Sequence, residues 1–484
     1  ASYEFGFDDF QNLGCHHLED GKSVLIAAPT GAGKTIIGEF ATFLAEKNGN
    51  RCFYTTPIKA LSNQKYQDLV KLYGDSEVGL LTGDSSINSE ARIVVMTTEV
   101  LRNMIYAGSD AIEDLGYVVM DEVHYLADKF RGAVWEEILI HLPERIQIVS
   151  LSATVSNAEE FGDWLKTVRG ETEVVLSEIR PVPLYQHILI GNRILDLFVD
   201  EGRVNPEILR IEKNSIKKVP GGSKSWKESK FSSIKSLTRP EIVEKLSERG
   251  FLPAIFFIFS RAGCDGAVSS CIREGLSLTN SLEKEEIRRV IALKTHELPS
   301  EDFGVLGFHE WAQALERGIA AHHAGLLPMF KETIEELFQR GLLKIVFATE
   351  TLALGINMPA RSVVLEKLVK WNGESHVNVS PGEYTQLTGR AGRRGIDVEG
   401  NALILWNEQM DSSIAAGLAS TRTYPLRSSF SPTYNMSANL ISRFGHERAR
   451  KSLGFSFAQF QADKAVVGLA RQIAKNEMAI KTLI

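Results

Sequence analysis

Between an apolar run at 24–28 and a helical pattern at 36–46 lies Pro29-Thr30-Gly31-Ala32-Gly33-Lys34-Thr35. Glycines at this spacing let backbone N–H groups converge on an anion, and the start of the following helix adds its dipole. A lysine and a hydroxyl residue straight after the last glycine suit the phosphates of ATP and a Mg²⁺ ion. That assigns Lys34 to the β- and γ-phosphates, Thr35 to the metal, and Thr30, Gly31, Ala32 and Gly33 to the cradle. The usual first glycine is Ala28 here, a small departure because the 31–35 tip is intact. A second constellation follows the apolar run 117–120, where Asp121-Glu122-Val123-His124 stands. Two acids at a strand end are common on surfaces. Downstream of a phosphate loop in a parallel sheet they read as a metal ligand, Asp121, and a residue that orients or deprotonates the attacking water, Glu122. Ser152-Ala153-Thr154 ends the next strand and is either a coupling element for the acid pair or a helix cap.

These residues need a scaffold, and the sequence supplies one. Short β-rich runs at 24–28, 52–56, 93–97, 117–120 and 147–151 alternate with helical patterns, and a second series follows at 254–259, 319–322, 344–348, 362–365 and 402–406. Such alternation predicts two α/β domains, each a parallel sheet covered on both faces by helices. From about 192 to 240 the pattern fails. Lys213, Lys217, Lys218, Lys224, Lys227, Lys230 and Lys235 crowd a stretch with Pro220-Gly221-Gly222, which reads as a solvated insertion in preference to a nucleic-acid contact. After 406 the alternation ends, residues 436–443 look helical, and 462–484 reads as one long helix without a stop signal, as at the start of a larger architecture.

Composition agrees with this organisation. The 484 residues exceed what one core accommodates. With 44% hydrophobic and 24% charged residues, the chain has the balance of a globular protein. No run is long enough to predict a membrane span. Cys15, Cys52, Cys264 and Cys271 form no CxxC pair, which favours reduced thiols and a cytoplasmic place. The net charge of −7 leaves nucleic acid open as a partner, because such binding needs only a local basic groove.

The order of phosphate loop, Asp121-Glu122-Val123-His124, Ser152-Ala153-Thr154 and Gln386-Leu387-Thr388-Gly389-Arg390-Ala391-Gly392-Arg393-Arg394-Gly395 resembles the superfamily-two DExH helicases. Within them the chain is similar to the superkiller-type (Ski-like) RNA helicases, including their actinobacterial members. The likeness extends over nearly the whole chain, including Tyr434-Asn435-Met436 and Phe455-Ser456-Phe457-Ala458-Gln459-Phe460-Gln461. It implies RecA-like domains over 1–178 and 179–407, a winged-helix-like segment over 408–461, and the start of a helical stalk over 462–484. It also gives Phe5 and Gln11 the task of stacking on and reading adenine. Pro57-Ile58-Lys59-Ala60-Leu61, Thr82-Gly83-Asp84 and Thr98-Glu99-Val100-Leu101-Arg102 resemble strand-gripping motifs, which makes Pro57, Lys59, Thr98, Glu99 and Arg102 nucleic-acid contacts.

The second half has no phosphate loop of its own, so it is expected to complete the first half's site. Arg390 and Arg393 are then arginine fingers, worth about 10³–10⁵ in rate in related NTPases, and Gln386 contacts the γ-phosphate or its water. A glycine–arginine run is often only a basic surface turn, but here it follows an intact phosphate loop and the other motifs in order, which favours the finger reading. By resemblance, Gly355 and Asn357 face the nucleotide. Ser260, Arg261, His323, Gly325 and Thr349, at strand ends, are expected to grip a nucleic-acid backbone. His322 and His323 lack further ligands at zinc spacing. Asn372-Gly373 flanked by β-formers predicts a hairpin carrying Trp371, either a duplex-splitting wedge or a plain surface hairpin.

The resemblance implies a monomeric motor on single-stranded or 3′-tailed RNA, moving 3′-to-5′, beside an RNA-degrading nuclease complex. A DNA-repair helicase of the same build stays open. A non-catalytic nucleotide-binding scaffold does not need Lys34, Asp121, Glu122 and two arginines together.

Overall fold

The computed structural model describes residues 6–129, 131–200, 202–216, 236–296, 298–352, 358–371, 374–407, 410–421 and 423–464. The chain divides into two compact units, Ala1–Ile179 with Thr423–Ile484, and Arg180–Arg422.

The first unit is built on β1 (Ser23–Ala27), β2 (Arg51–Thr56), β3 (Val78–Leu81), β4 (Ser86–Ile87), β5 (Ile93–Thr97), β6 (Leu115–Met120), β7 (Gln147–Ser152) and β8 (Thr172–Leu176). They form one sheet in the order β4-β3-β5-β2-β6-β7-β1-β8. Every neighbouring pair is parallel except β3 with β4. The central strands are apolar throughout because both faces are covered. Along β1, Leu25 and Ala27 enter one core and Val24 and Ile26 the other, as the two-residue period of a strand requires. Because β1, β6 and β7 run parallel and adjoin one another through β7, the loops that follow them open at one edge of the sheet.

Residues 423–464 pack on this unit. Asn157 brackets Leu426, donating to its carbonyl at 2.8 Å and accepting from its N–H at 2.6 Å. The Phe457 ring lies 5.2 Å from both Phe161 and Trp164. Buried Glu136 accepts from the Phe457 N–H at 2.7 Å and from the Ser428 hydroxyl. Helix Tyr434–Gly454 is broken at Gly445, whose φ of 76° lies outside helical space.

The second unit contains β9 (Leu184–Ile190), β10 (Arg193–Asp196), β11 (Phe198–Asp200), β12 (Arg203–Val204), β13 (Ala254–Phe257), β14 (Ile319–His322), β15 (Ile345–Ala348), β16 (Ser362–Leu365), β17 (Val369–Trp371), β18 (His376–Asn378) and β19 (Gly400–Leu405). Its main sheet runs β10-β9-β19-β16-β13-β15-β14, and β11-β12 and β17-β18 are separate hairpins. Only β10 with β9 is antiparallel in the main sheet. Both units are RecA-like: mostly parallel sheets with helices on both faces.

The expected insertion is regular as far as 216. Helix Pro206–Ile216 buries Ile208 against Ile188, Ile190 and Leu197. The stretch 217–235, with Lys217, Lys218, Lys224, Lys227, Lys230 and Lys235, lies outside the described residues, as does 465–484 of the expected stalk. Among the described residues no helix is long and apolar enough to cross a membrane.

Candidate active site

The phosphate loop connects β1 to helix Thr35–Asn48. Gly31 and Gly33 take φ of 83° and 87°, a conformation that a side chain would strain. Ala28 instead keeps a strand-like bond, its N–H donating to the Ser152 carbonyl at 3.2 Å. A glycine is therefore not needed there. Lys34 is buried, and its Nζ donates to the Ala28 carbonyl at 2.8 Å and the Pro29 carbonyl at 3.4 Å. Gln11 is also buried and braces the loop from beneath. Its Nε2 donates to the carbonyls of Ala32 at 3.3 Å and Gly33 at 3.1 Å, while its Oε1 accepts from the Asp8 N–H at 2.9 Å. Phe5 lies outside the described residues.

Asp121 and Glu122 follow β6 at the same edge. Burial and the adjacent Glu122 raise the Asp121 carboxyl to about 6. Its two hydrogen-bond partners are neutral: Tyr54 Oη donates to Oδ2 at 3.1 Å and the Glu122 N–H to Oδ1 at 2.9 Å. Glu122 sits at φ 54° and ψ 45°, left-handed space that a non-glycine residue enters at a cost of about 1–3 kcal/mol. Strain of this kind persists where the surroundings over-determine a working position. His124 is buried, which with the charge of Lys34 pushes its imidazole down to about 3. The neutral ring accepts the Ala153 N–H at Nδ1, 3.2 Å away. Its 3.3 Å approach to Glu122 Oε2 is thus a contact rather than an ion pair. The histidine ties the acid pair to Ser152-Ala153-Thr154.

These residues fit a small hard cation. Asp121 offers a buried carboxylate with neutral partners only, Thr35 a hydroxyl, and both are oxygen donors of the kind Mg²⁺ prefers.

In the second unit, Arg393 is held by Asp397 through three bonds: its N–H donates at 2.9 Å, Nε at 2.7 Å and Nη2 at 2.8 Å. One edge of the guanidinium is thereby fixed, and the Nη1 edge points away from Asp397. Arg390 is buried. The backbone between these arginines is braced on several sides. Ala360 exchanges bonds with Arg390 and Gly392 at 2.9 and 2.7 Å. Arg180, whose guanidinium burial lowers to about 10, donates to the carbonyls of Val182 at 3.0 Å, Thr388 at 3.5 Å and Ala391. A Cβ on Gly392 would lie 2.7 Å from Val182 Cγ1. Gln386 lies on helix Pro381–Thr388, partly exposed. Gly355 and Asn357 lie outside the described residues.

The expected nucleic-acid contacts fall at strand ends. In the first unit Arg131 joins Pro57 to Glu99, donating to the Pro57 carbonyl at 3.3 Å and standing 3.8 Å from Glu99. Lys59 pairs with Asp84 on the surface, and Arg102 lies 4.0 Å from Glu137. Thr98, the first residue of helix Thr98–Ala107, is buried with its hydroxyl donating to the Thr56 carbonyl at 3.0 Å, so its side chain fastens the start of that helix to the end of β2. In the second unit, the adjacent strands β14, β15 and β13 lead to His323 and Gly325, Thr349, and Ser260 with Arg261. His323 bridges Asp265 at 2.9 Å and the Gly325 N–H at 3.2 Å. Its neighbour His322 lies 2.9 Å from Glu335. Ser260 caps a helix by accepting from Gly263, Arg261 is exposed, and Thr349 meets Thr351 at 2.9 Å. In the hairpin β17-β18, Trp371 is 55% exposed and packs edge-on against His376. Its turn residues Asn372 and Gly373 lie outside the described residues.

Residues 8–161 match the DEAD/DEAH box helicase model, and 277–395 the helicase conserved C-terminal domain. Both matched domains are helicase domains. Among known proteins, "Probable helicase HelY" of Mycobacterium tuberculosis is 56% identical over 485 residues, covering 98% of this chain and 54% of that protein. Human "Superkiller complex protein 2" is 40% identical over 476 residues, 96% of this chain and 38% of that protein. The Arabidopsis thaliana "DExH-box ATP-dependent RNA helicase DExH10" is 39% identical over 489 residues, 98% of this chain and 49% of that protein. The chain spans about half the length of the HelY proteins it matches.

Tyr54, Lys65, Arg180 and Asp397 were not singled out by sequence. Tyr54 sits in an apolar strand and reads as core, while Asp397 and Arg180 read as ordinary loop charges.

Proposed function

We propose that this chain is the motor of an ATP-dependent RNA helicase, moving 3′-to-5′ on single-stranded RNA and coupling hydrolysis to unwinding. The observation that carries the reading is the gathering of a glycine phosphate loop, buried Lys34 and Asp121, and a strained Glu122 at one sheet edge. In this reading Lys34 Nζ leaves the carbonyls of Ala28 and Pro29 for the β- and γ-phosphates. Thr35 and Asp121 hold Mg²⁺, which supplies positive charge against the phosphate oxygens. Glu122 orients the attacking water and accepts its proton at a carboxylate oxygen. Arg390 and Arg393 are assigned to the charge developing on the transferred phosphoryl group, and Gln386 to the water or γ-phosphate. Gln11 acts by holding the loop, with adenine reading as its further role. The strand-end residues, led by Arg261 and Arg102, grip the backbone without reading sequence.

RNA as the track is supported by the resemblance and by the Arabidopsis relative, which is named an RNA helicase. The same resemblance carries an RNA-degrading nuclease complex as partner. Unwinding of matched RNA and DNA duplexes with 3′ or 5′ tails tests the reading. The 3′-tailed RNA duplex is expected to open fastest, and equal or faster opening of 3′-tailed DNA would establish the DNA-repair reading instead.

A further inference from the structure

Behind the acid pair lies a buried polar cluster contributed by three elements. Tyr54 of β2 is 0% exposed, and its phenol donates to Asp121 Oδ2 at 3.1 Å. The register allows this because β2 adjoins β6 with Tyr54 opposite Val119 and Thr55 opposite Met120, one step before Asp121. Gly38, one turn into the helix after the phosphate loop, makes room for the ring. A Cβ there would stand 3.0 Å from Tyr54 Cε2, 3.1 Å from Val119 Cγ1 and 3.4 Å from the Tyr54 oxygen. Lys65, buried on helix Lys59–Tyr73, holds its Nζ 5.4 Å from the Tyr54 ring centroid. The same Nζ lies 3.4 Å from Glu39 Oε1, and Glu39 follows Gly38 on the helix that begins with Thr35.

Satisfaction of buried polar groups alone is a weak account of this cluster. A buried phenol needs only one acceptor, and a backbone carbonyl would serve. Here the acceptor is the carboxylate that the phosphate-loop reading assigns to the metal. A glycine clears the helix from the ring that reaches it. A buried lysine is costly unless negative charge surrounds it, and the carboxylates at hand are Glu39, Asp121 and, on its own helix, Asp68.

We infer that Tyr54 and Lys65 are positioning residues for Mg²⁺ binding. Tyr54 fixes Oδ2 of Asp121 while the Glu122 N–H fixes Oδ1, and the Lys65 ammonium offsets the crowded carboxylates beside the phosphate loop. Groups that hold a metal ligand in this way typically change metal affinity by about 10- to 100-fold when removed. The inference rests on the reading of Asp121 as the metal ligand, so its test carries a control for that reading.

The experiment measures binding of a fluorescent ATP analogue as a function of Mg²⁺, with an EDTA reference, in the wild type, Tyr54→Phe, Lys65→Met and Asp121→Asn. Tyr54→Phe removes one oxygen and keeps the packed ring, and thermal unfolding checks that it stays folded. The expected result is a half-saturating Mg²⁺ concentration raised about 10-fold in Tyr54→Phe, a rise in Lys65→Met as well, and unchanged affinity in EDTA. If Tyr54→Phe titrates as the wild type while Asp121→Asn does not, the inference fails and the metal reading stands. If Asp121→Asn also titrates as the wild type, both fail.

Discussion

At the scale of single residues, the site is a set of side chains whose orientation is fixed by others. Lys34 is held on its own loop, Glu122 is held in left-handed space, and His124 is held neutral between the acid pair and Ala153. Arg393 shows the same principle in the second unit, where Asp397 engages both its backbone N–H and one edge of its guanidinium. Asp397→Asn would lose the charge and one of the matched acceptors while keeping the size of the side chain. We expect it to lower the turnover of ATP on the order of 10- to 100-fold, with ATP affinity within a few-fold of wild type. Steady-state hydrolysis beside equilibrium nucleotide binding measures this, and an equal loss in both would show that Asp397 serves the fold alone. Much of this scale was legible in the sequence where residues are contiguous. The phosphate loop and the acid pair identify themselves because glycine, lysine, hydroxyl and carboxylate chemistry lies within a few positions. Tyr54 did not, because its partner Asp121 is distant in sequence and only the β2–β6 register brings the two together, and Lys65 did not, because Glu39 and the Tyr54 ring reach it from other elements.

At the scale of elements, hydrophobic pattern located the central strands of both sheets to within a few residues, since strands covered on both faces are continuously apolar. The strands β8, β9 and β10 were less visible. In β9 the pattern is broken by Gln186 and His187, and each is satisfied by a distant partner: Tyr384 donates to Gln186 at 2.6 Å, and His187 lies 2.8 Å from Asn401 and 2.9 Å from Asp196. Polar residues with such partners look like loop until the partner is known. β8 is an edge strand with only partial burial. The packing of 423–464 on the first unit was equally hidden, because it depends on Glu136, a carboxylate inside helix Ala133–His141. Burial pushes the Glu136 carboxyl up to about 7 from 4.5, against the hydrogen bonds from Ser428, Phe457 and Ala458. The folded state therefore binds this proton more tightly than the unfolded chain, and this group's contribution to stability falls as pH rises from about 4.5 to about 7. Thermal unfolding across that range should show this slope in the wild type and lack it in Glu136→Gln. An identical slope in both would refute the assignment. Glu136→Ala, which leaves the Phe457 N–H unpaired, should cost about 1–3 kcal/mol below pH 4.5, where the carboxyl is protonated in both states, and less as pH rises towards 7.

At the scale of the whole molecule, the two RecA-like units carry different chemistry. The first holds the phosphate loop, the acid pair and the buried cluster behind them. The second shows no copy of these among the described residues and instead braces a loop bearing Arg390 and Arg393 with Arg180 and Asp397. In the proposed function the phosphate loop and acid pair belong to one unit and the arginines to the other, so hydrolysis is expected to need both. This division was readable in the order of motifs along the chain, whereas Arg180, which opens the second unit and fastens its arginine loop, emerged only from the structure. The most direct test of the account is RNA-stimulated ATP hydrolysis, measured with nucleotide binding, in the wild type, Glu122→Gln and Arg393→Ala. The account predicts stimulation by single-stranded RNA in the wild type. It predicts hydrolysis reduced by about 10²–10⁴ in Glu122→Gln and about 10³ or more in Arg393→Ala, with ATP still bound by both. Full turnover in either variant, or a wild-type rate indifferent to RNA and DNA alike, would contradict it.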